Sequence, residues 1–193
     1  KEIYKNKIKK SYLDDDSNLF DTTAKLISEG KVVGWFQENM EFGPRALGNR
    51  SILADPRNPN MKDIINMKIK RRESFRPFAP SVLSEFQADW FNSSFSSYYM
   101  STLAFIPKEK QKLIPAVTHV DKTARYQTVN KNSNYRFYKL IESFNKITNV
   151  PILLNTSFNE NEPIVMKPEE ALDCLIRTDM DALIIGNFII TKK

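Results

Sequence analysis

Arg45 stands between Pro44 and Ala46 in a glycine-flanked turn, Lys70 closes a run with helical spacing, and Arg76 is fixed by Pro77. Arg125 follows six residues after His119, the only histidine of the chain. Guanidinium forks bind phosphate and carboxylate through paired hydrogen bonds, whereas an ammonium acts as a point charge, so one lysine with several arginines suits a polyphosphate. Asn155 and Ser157 add neutral polar groups at the end of an apolar run. His119 is a candidate for substrate binding or proton transfer, although a lone histidine is as readily a satisfied structural residue. Between residues 41 and 80 there are nine Lys or Arg against four Asp or Glu, a net +5 out of +6 for the whole chain. The positive charge is therefore concentrated, and Gly43, Gly48 and several prolines hold it on turns rather than on the solvated face of one long helix. That is how an anion site is built. Neither GxxxxGK[ST] nor GxGxxG occurs, which argues against a P-loop or a Rossmann enzyme.

Composition sets the outer limits. A chain of 193 residues with 41% apolar and 11% aromatic residues is long enough for one well-filled domain. A pI near 9.3 favours anionic partners, among which charge alone does not choose. Cys174 is the only cysteine, so no internal disulfide can form, and no apolar run is long enough to span a bilayer. These features lead us to expect a cytoplasmic protein with no membrane partner. The chain opens on Lys1 rather than Met, as expected of a piece of something longer.

The elements that must position these residues alternate between strand and helix. Residues 1–30 read as an N-terminal linker and lead-in helix, with the basic stretch 1–12 irregular and Asp14, Asp15 and Asp16 offering N-caps for a helix closed by Gly30. Residues 31–193 then form the main domain. Lys31–Gln37 reads as a strand that delivers the chain into the Gly43-Pro44-Arg45 turn; Met61, Ile64, Ile65 and Ile69 space a helix with Lys62, Lys70 and Arg71 at its edges. Phe86, Trp90 and Phe91 are core aromatics of a short helix, Tyr98–Ile106 is a strand candidate, and residues 107–115 read as a surface loop. Thr118–Val129 resists a simple period. Phe137, Leu140, Ile141, Phe144 and Ile147 mark an amphipathic helix. Val150–Leu154 is a buried strand ending in Asn155-Thr156-Ser157, and polar residues at a strand end are where open sheets usually meet ligands. Pro168 starts a further helix, and Ala182–Ile185 and Phe188–Ile190 close the pattern as strands around Gly186-Asn187. The fold class is α/β, or α+β.

Five stretches resemble one known family: Met40–Leu53; Lys70 with Arg72–Pro80; Thr118–Asp121; Thr123-Ala124-Arg125; and Asn155–Asn159. Together they are similar to the C-terminal domain of the O-carbamoyltransferases that modify nodulation factors and antibiotics. The resemblance implies a YrdC-like domain with a twisted open mixed sheet flanked by helices. It implies ATP and carbamoyl phosphate as substrates, Mg²⁺ with the nucleotide, and carbamoyl adenylate as product, passed to an acceptor hydroxyl by an N-terminal Kae1-like transferase domain that carries the metal site and is not in this chain. Carried over residue by residue, Arg45, Lys70, Arg76, Arg125, Asn155 and Ser157 would bind substrate and nucleotide, with Lys70, Arg76, His119 and Ser157 closest to the chemistry. No metal ligands are expected here. Gln37-Glu38-Asn39, Lys122 and a shortened Glu160-Asn161-Glu162-Pro163 loop depart from the family pattern, and they bear on acceptor choice and inter-domain contact more than on the anion site. The rival reading is a YrdC-like double-stranded RNA-binding module. It would need a broad basic face with stacking aromatics, so nucleic acid is not the expected partner.

Overall fold

The computed structural model describes Tyr4, residues 6–73 and residues 75–193; Lys1, Glu2, Ile3 and Lys5 of the basic arm and Ser74 ahead of Arg76 lie outside the described residues. Strand β1 (Ile8–Tyr12) leads to helix α1 (Asp16–Ser28), then β2 (Val33–Phe36), β3 (Arg50–Ala54) and α2 (Met61–Ile65). Next come β4 (Ala79–Leu83), α3 (Gln87–Trp90), β5 (Thr102–Phe105), α4 (Lys108–Gln111) and β6 (Thr123–Val129). Helix α5 (Tyr135–Thr148), β7 (Ile152–Ser157), α6 (Pro168–Arg177), β8 (Ala182–Ile185) and β9 (Phe188–Lys192) follow. The strands form one mixed sheet of order β1-β9-β8-β2-β3-β7-β4-β6-β5, the open, helix-flanked α/β sheet expected from the sequence. The pairs β2–β8 and β4–β6 are parallel and the other neighbours antiparallel.

Local chemistry explains the long helices. Asp15 caps α1 by accepting from the backbone N–H groups of Ser17 and Asn18, at 3.1 and 3.3 Å, and Gly30 turns the chain beyond it with φ +84°. Leu19, Phe20, Ala24 and Ile27 of α1 are buried, and α1 packs along α5, whose Phe137, Leu140, Ile141 and Phe144 are buried as the spacing predicts. Asn134 caps α5 through the Phe137 N–H at 3.1 Å.

Several expectations need correction. Residues 8–12 are not irregular: they form β1, paired antiparallel with β9 from Ile8↔Lys192 to Tyr12↔Phe188. Four of the five residues are exposed, so backbone pairing holds this strand and no apolar alternation announced it. The surface loop 107–115 contains the short helix α4, and Ile147 is 49% exposed at the end of α5. After α2 the chain widens into one π-helical turn over Asn66–Lys70, ended by Arg71 in the left-handed region at φ +45°. That widened turn carries Lys70 inward, to 3% exposure, instead of leaving it at a helix edge.

The pairing registers fix where a site can form. Ser51 opposes Ser157, Ala79 opposes Asn155, and Ser81 opposes Gln127 two residues beyond Arg125. The starts of β3, β4 and β6 therefore meet the end of β7 at one end of the sheet. Among the described residues no helix is long and apolar enough to cross a membrane.

Candidate anion-binding site

A cleft of about 90 Å³ opens at this end of the sheet, lined by Pro44, Arg45, Ala46, Arg72, Pro77, Phe78, Ala79, Met100, Arg125, Asn155, Thr156 and Ser157. Arg45, Arg72 and Arg125 thus converge from the turn before β3, the segment after the π-turn and the start of β6. None of them pairs with a carboxylate among the described residues. Burial, and then the charge of Arg45, lowers the Arg125 pKa. Burial again comes first for Arg72, followed by Arg76, and Arg125 adds to the lowering while Glu73 opposes it. The Arg72 guanidinium lies 4.4 Å from the centre of the Phe78 ring, and the Nε atoms of Arg72 and Arg125 are buried without a partner. Cations that depress one another and keep unused donors form a site short of an anion.

The back of the cleft is a polar network built across three strands. Asn155 Nδ2 lies 3.1 Å from the Ala46 carbonyl, 3.0 Å from Ser81 Oγ and 3.1 Å from Gln127 Oε1, while Gln127 Nε2 donates to the Leu47 carbonyl at 2.8 Å. A carbonyl can only accept, so the amide nitrogen of Asn155 must face Ala46. Its Oδ1 is then left buried with no donor, an acceptor at the cleft with nothing to accept. Glu41 fixes the turn above by accepting from the N–H groups of Leu47, Asn49 and Arg50 at 2.7, 2.7 and 3.1 Å.

Lys70 does not line this cleft. Its ammonium donates into the end of β7, to Ser157 O at 2.7 Å, Ser157 Oγ at 3.2 Å, Asn159 O at 2.7 Å and Asn159 Oδ1 at 2.7 Å. Burial and the neighbouring charge of Arg72 push its pKa down to about 7. Lys70 therefore meets the site through Ser157. Arg76 is 55% exposed in its side chain and paired with Glu73 at 3.0 Å, outside the cleft.

His119 faces a separate cleft of about 480 Å³ with Lys62, Phe75 and Asp121, and Pro77 is the wall the two clefts share. The Thr123 hydroxyl donates to Asp121 Oδ1 at 2.7 Å and lies 3.3 Å from His119 Nδ1. Burial is the largest influence on His119 and lowers its pKa, with Arg125 and Lys62 acting the same way against Asp121.

Of the residues singled out from sequence, the structure brings Arg45, Arg125, Asn155 and Ser157 to one cleft, sets Lys70 behind it, and leaves Arg76 and His119 to its sides. It adds Arg72 and, behind Ser157, Asn159. Arg72 is two residues past Lys70 in a run of three cations that reads as a solvated helix end. The signal available was the family motif, which runs through Arg72.

A larger cleft of about 570 Å³ lies on the other side of the Ala46-Leu47 segment, lined among others by Glu41, Phe42, Leu47, Tyr98, Tyr99, Gln127 and Asn134. Phe42 and Tyr99 are exposed there.

Residues 24–192 match the family model described as carbamoyltransferase C-terminus. The chain is 49% identical over 174 residues to the nodulation protein NolNO of Sinorhizobium fredii, covering 88% of this chain and 26% of that protein. It is 46% identical over 176 residues to NolO of Bradyrhizobium diazoefficiens, covering 89% of this chain and 32% of the relative. The chain thus spans a third or less of these relatives. Among solved structures, P. abyssi Sua5 complexed with L-threonine superposes with a TM-score of 0.63 at 15% identity, over 90% of this chain and 48% of Sua5. Full-length HypF in its phosphate- and nucleotide-bound form superposes with a TM-score of 0.54 at 16% identity, over 89% of this chain and 21% of HypF.

Proposed function

This chain belongs to the carbamoyltransferase C-terminal family, and from that premise we propose that its arginine cleft binds carbamoyl phosphate beside ATP and forms carbamoyl adenylate. One observation carries the reading: Arg45, Arg72 and Arg125 converge at a strand-end cleft with no carboxylate paired to them among the described residues. At about 90 Å³ the cleft suits a small anion and not a whole nucleotide. The adjoining 570 Å³ cleft, with Tyr98, Tyr99 and Phe42, has room for the nucleoside. Full-length HypF, a fifth of which shares this fold, was solved in a phosphate- and nucleotide-bound form, in keeping with ligands of this class.

In this reading the arginines hold phosphate oxygens and the Asn155 Oδ1 accepts from the carbamoyl –NH₂, which would supply its missing donor. Water hydrolyses carbamoyl phosphate to carbamate and phosphate; a carbamate oxygen then attacks the α-phosphorus of ATP, and the bond to pyrophosphate breaks. Such a step requires neutralised phosphates and fixed geometry more than covalent help from the protein. Mg²⁺ supplies charge neutralisation on the phosphates of ATP. Transfer to an acceptor hydroxyl falls to an N-terminal Kae1-like domain in this reading.

Acetyl phosphate, with a methyl group in place of the –NH₂, tests the assignment by calorimetric titration. Carbamoyl phosphate should bind about five- to a hundredfold more tightly, since a buried acceptor left unpaired costs about 1–3 kcal/mol. Arg125→Ala should weaken both ligands by about 1.5–3 kcal/mol, the scale of a charge-assisted hydrogen bond. Equal affinity for the two phosphates would remove Asn155 from the carbamoyl contact, and unchanged binding in Arg125→Ala would remove the arginine cleft.

A further inference from the structure

The loop that follows β7 is held at both ends by a cation. At its start Lys70 binds Ser157 and Asn159 as described, and Asn159 Oδ1 also accepts from Ser157 Oγ at 2.7 Å. Asn159 Nδ2 donates onward to the Glu162 carbonyl at 2.6 Å. The Glu162 carboxylate accepts from the backbone N–H groups of Glu160 and Asn161 at 3.3 and 3.0 Å, folding the loop back on its own acid. At the far end Arg177, in the last turn of α6, pairs with Glu160 through Nη1 and with Glu162 through Nη2. Its Nε is braced by Asp173 at 3.0 Å, and Arg71 reaches Glu160 at 3.4 Å.

We propose that Arg177 is a positioning residue for the anion site, acting through Glu160 and Glu162 to fix the Asn159 turn and with it the Ser157 hydroxyl. The inference rests on the reading of the arginine cleft given above. A planar guanidinium can engage two carboxylates and one brace at fixed angles, which an ammonium cannot. Two glutamates within three residues of one another repel, so without Arg177 the loop has reason to open. The opening would start at the solvent end and reach Ser157 through the Asn159 hydrogen bonds.

Pyrophosphate binding, read by calorimetry on the whole chain, tests this. Arg177→Ala should lose about tenfold in affinity, Arg177→Lys should recover part of it, and Asp173→Ala, which touches Arg177 but not the loop, should stay within about twofold of the wild type. If Arg177 acts through Ser157, adding Arg177→Ala to Ser157→Ala should cost almost nothing more. A merely structural ion cluster would instead lower thermal stability alike in Arg177→Ala and Asp173→Ala and leave affinity unmoved. Wild-type affinity in Arg177→Ala, or a full tenfold loss persisting on the Ser157→Ala background, overturns the proposal while the cleft reading stands. If the wild type itself binds no pyrophosphate, the cleft reading falls and the proposal with it.

Discussion

Lys70 illustrates how a residue can be found in the sequence for the right charge and the wrong contact. Its place at the end of a helical run is legible, but the π-helical turn that buries it is not, because a one-residue widening leaves the apolar spacing of Ile65 and Ile69 unchanged. Burial holds its folded pKa near 7, against 10.5 for an exposed lysine. Between those values the unfolded chain keeps a proton that the folded chain has shed, so the Lys70 contribution to stability rises with pH from about 7 to 10.5 and is least favourable below 7. Urea unfolding of the wild type against Lys70→Met across that range should show the difference moving in favour of the wild type as pH rises. A flat difference would mean that the folded and unfolded states hold this proton equally. Arg76 lies outside the cleft for another reason: Pro77 limits the backbone ahead of it but says nothing about which way the side chain leaves. The place of Asn155 and Ser157 at the cleft was legible because a polar pair ends an apolar strand there.

At the scale of elements, the site depends on how the 43–49 turn is pressed onto the sheet and α5. Gly48 has φ +107°, and a Cβ there would lie 2.2 Å from Cδ1 of Phe137. Gly43 has a similar φ of +113° with nothing within 4 Å. Gly43→Ala should therefore show only the backbone strain, about 1–3 kcal/mol, and Gly48→Ala the same plus an overpacking cost of about 1–3 kcal/mol. Thermal unfolding of both variants checks this, and equal losses would show that the Phe137 contact costs nothing. Sequence reading found the glycines and the turn but not β3, which begins at Arg50 directly after it. Arg50–Ala54 is buried at every position, so it lacks the alternation that reveals a strand with one solvated face. Strand β6 was obscured because the turn at 118–122, with Lys122 at φ +68°, runs into it without a break in composition. The longer amphipathic elements α1, α5 and α6 were all legible, since each buries one face.

For the whole molecule, the net charge of +6 leaves both a small-phosphate site and a nucleic-acid surface open, and the placement of the cations is what the proposed function rests on. Three of the cations sit in a small cleft, and many of the others are paired: Arg57 with Asp55, Lys68 with Asp181, Arg136 with Asp16, and Arg177 with Glu160 and Glu162. The order of the sheet could not be read from one sequence, because it follows from which strands meet across long loops. Yet that order is what brings residues 45, 72, 125 and 155 together. In the proposed reading this assembly activates a carbamoyl group with ATP. The direct measurement is pyrophosphate release by the chain mixed with ATP, Mg²⁺ and carbamoyl phosphate, with any carbamoylated hydroxyl compound followed in parallel. Release should require carbamoyl phosphate, fall about tenfold or more in Arg125→Ala, and yield no carbamoylated acceptor. Release no greater than with ATP alone, or undiminished in Arg125→Ala, would contradict it.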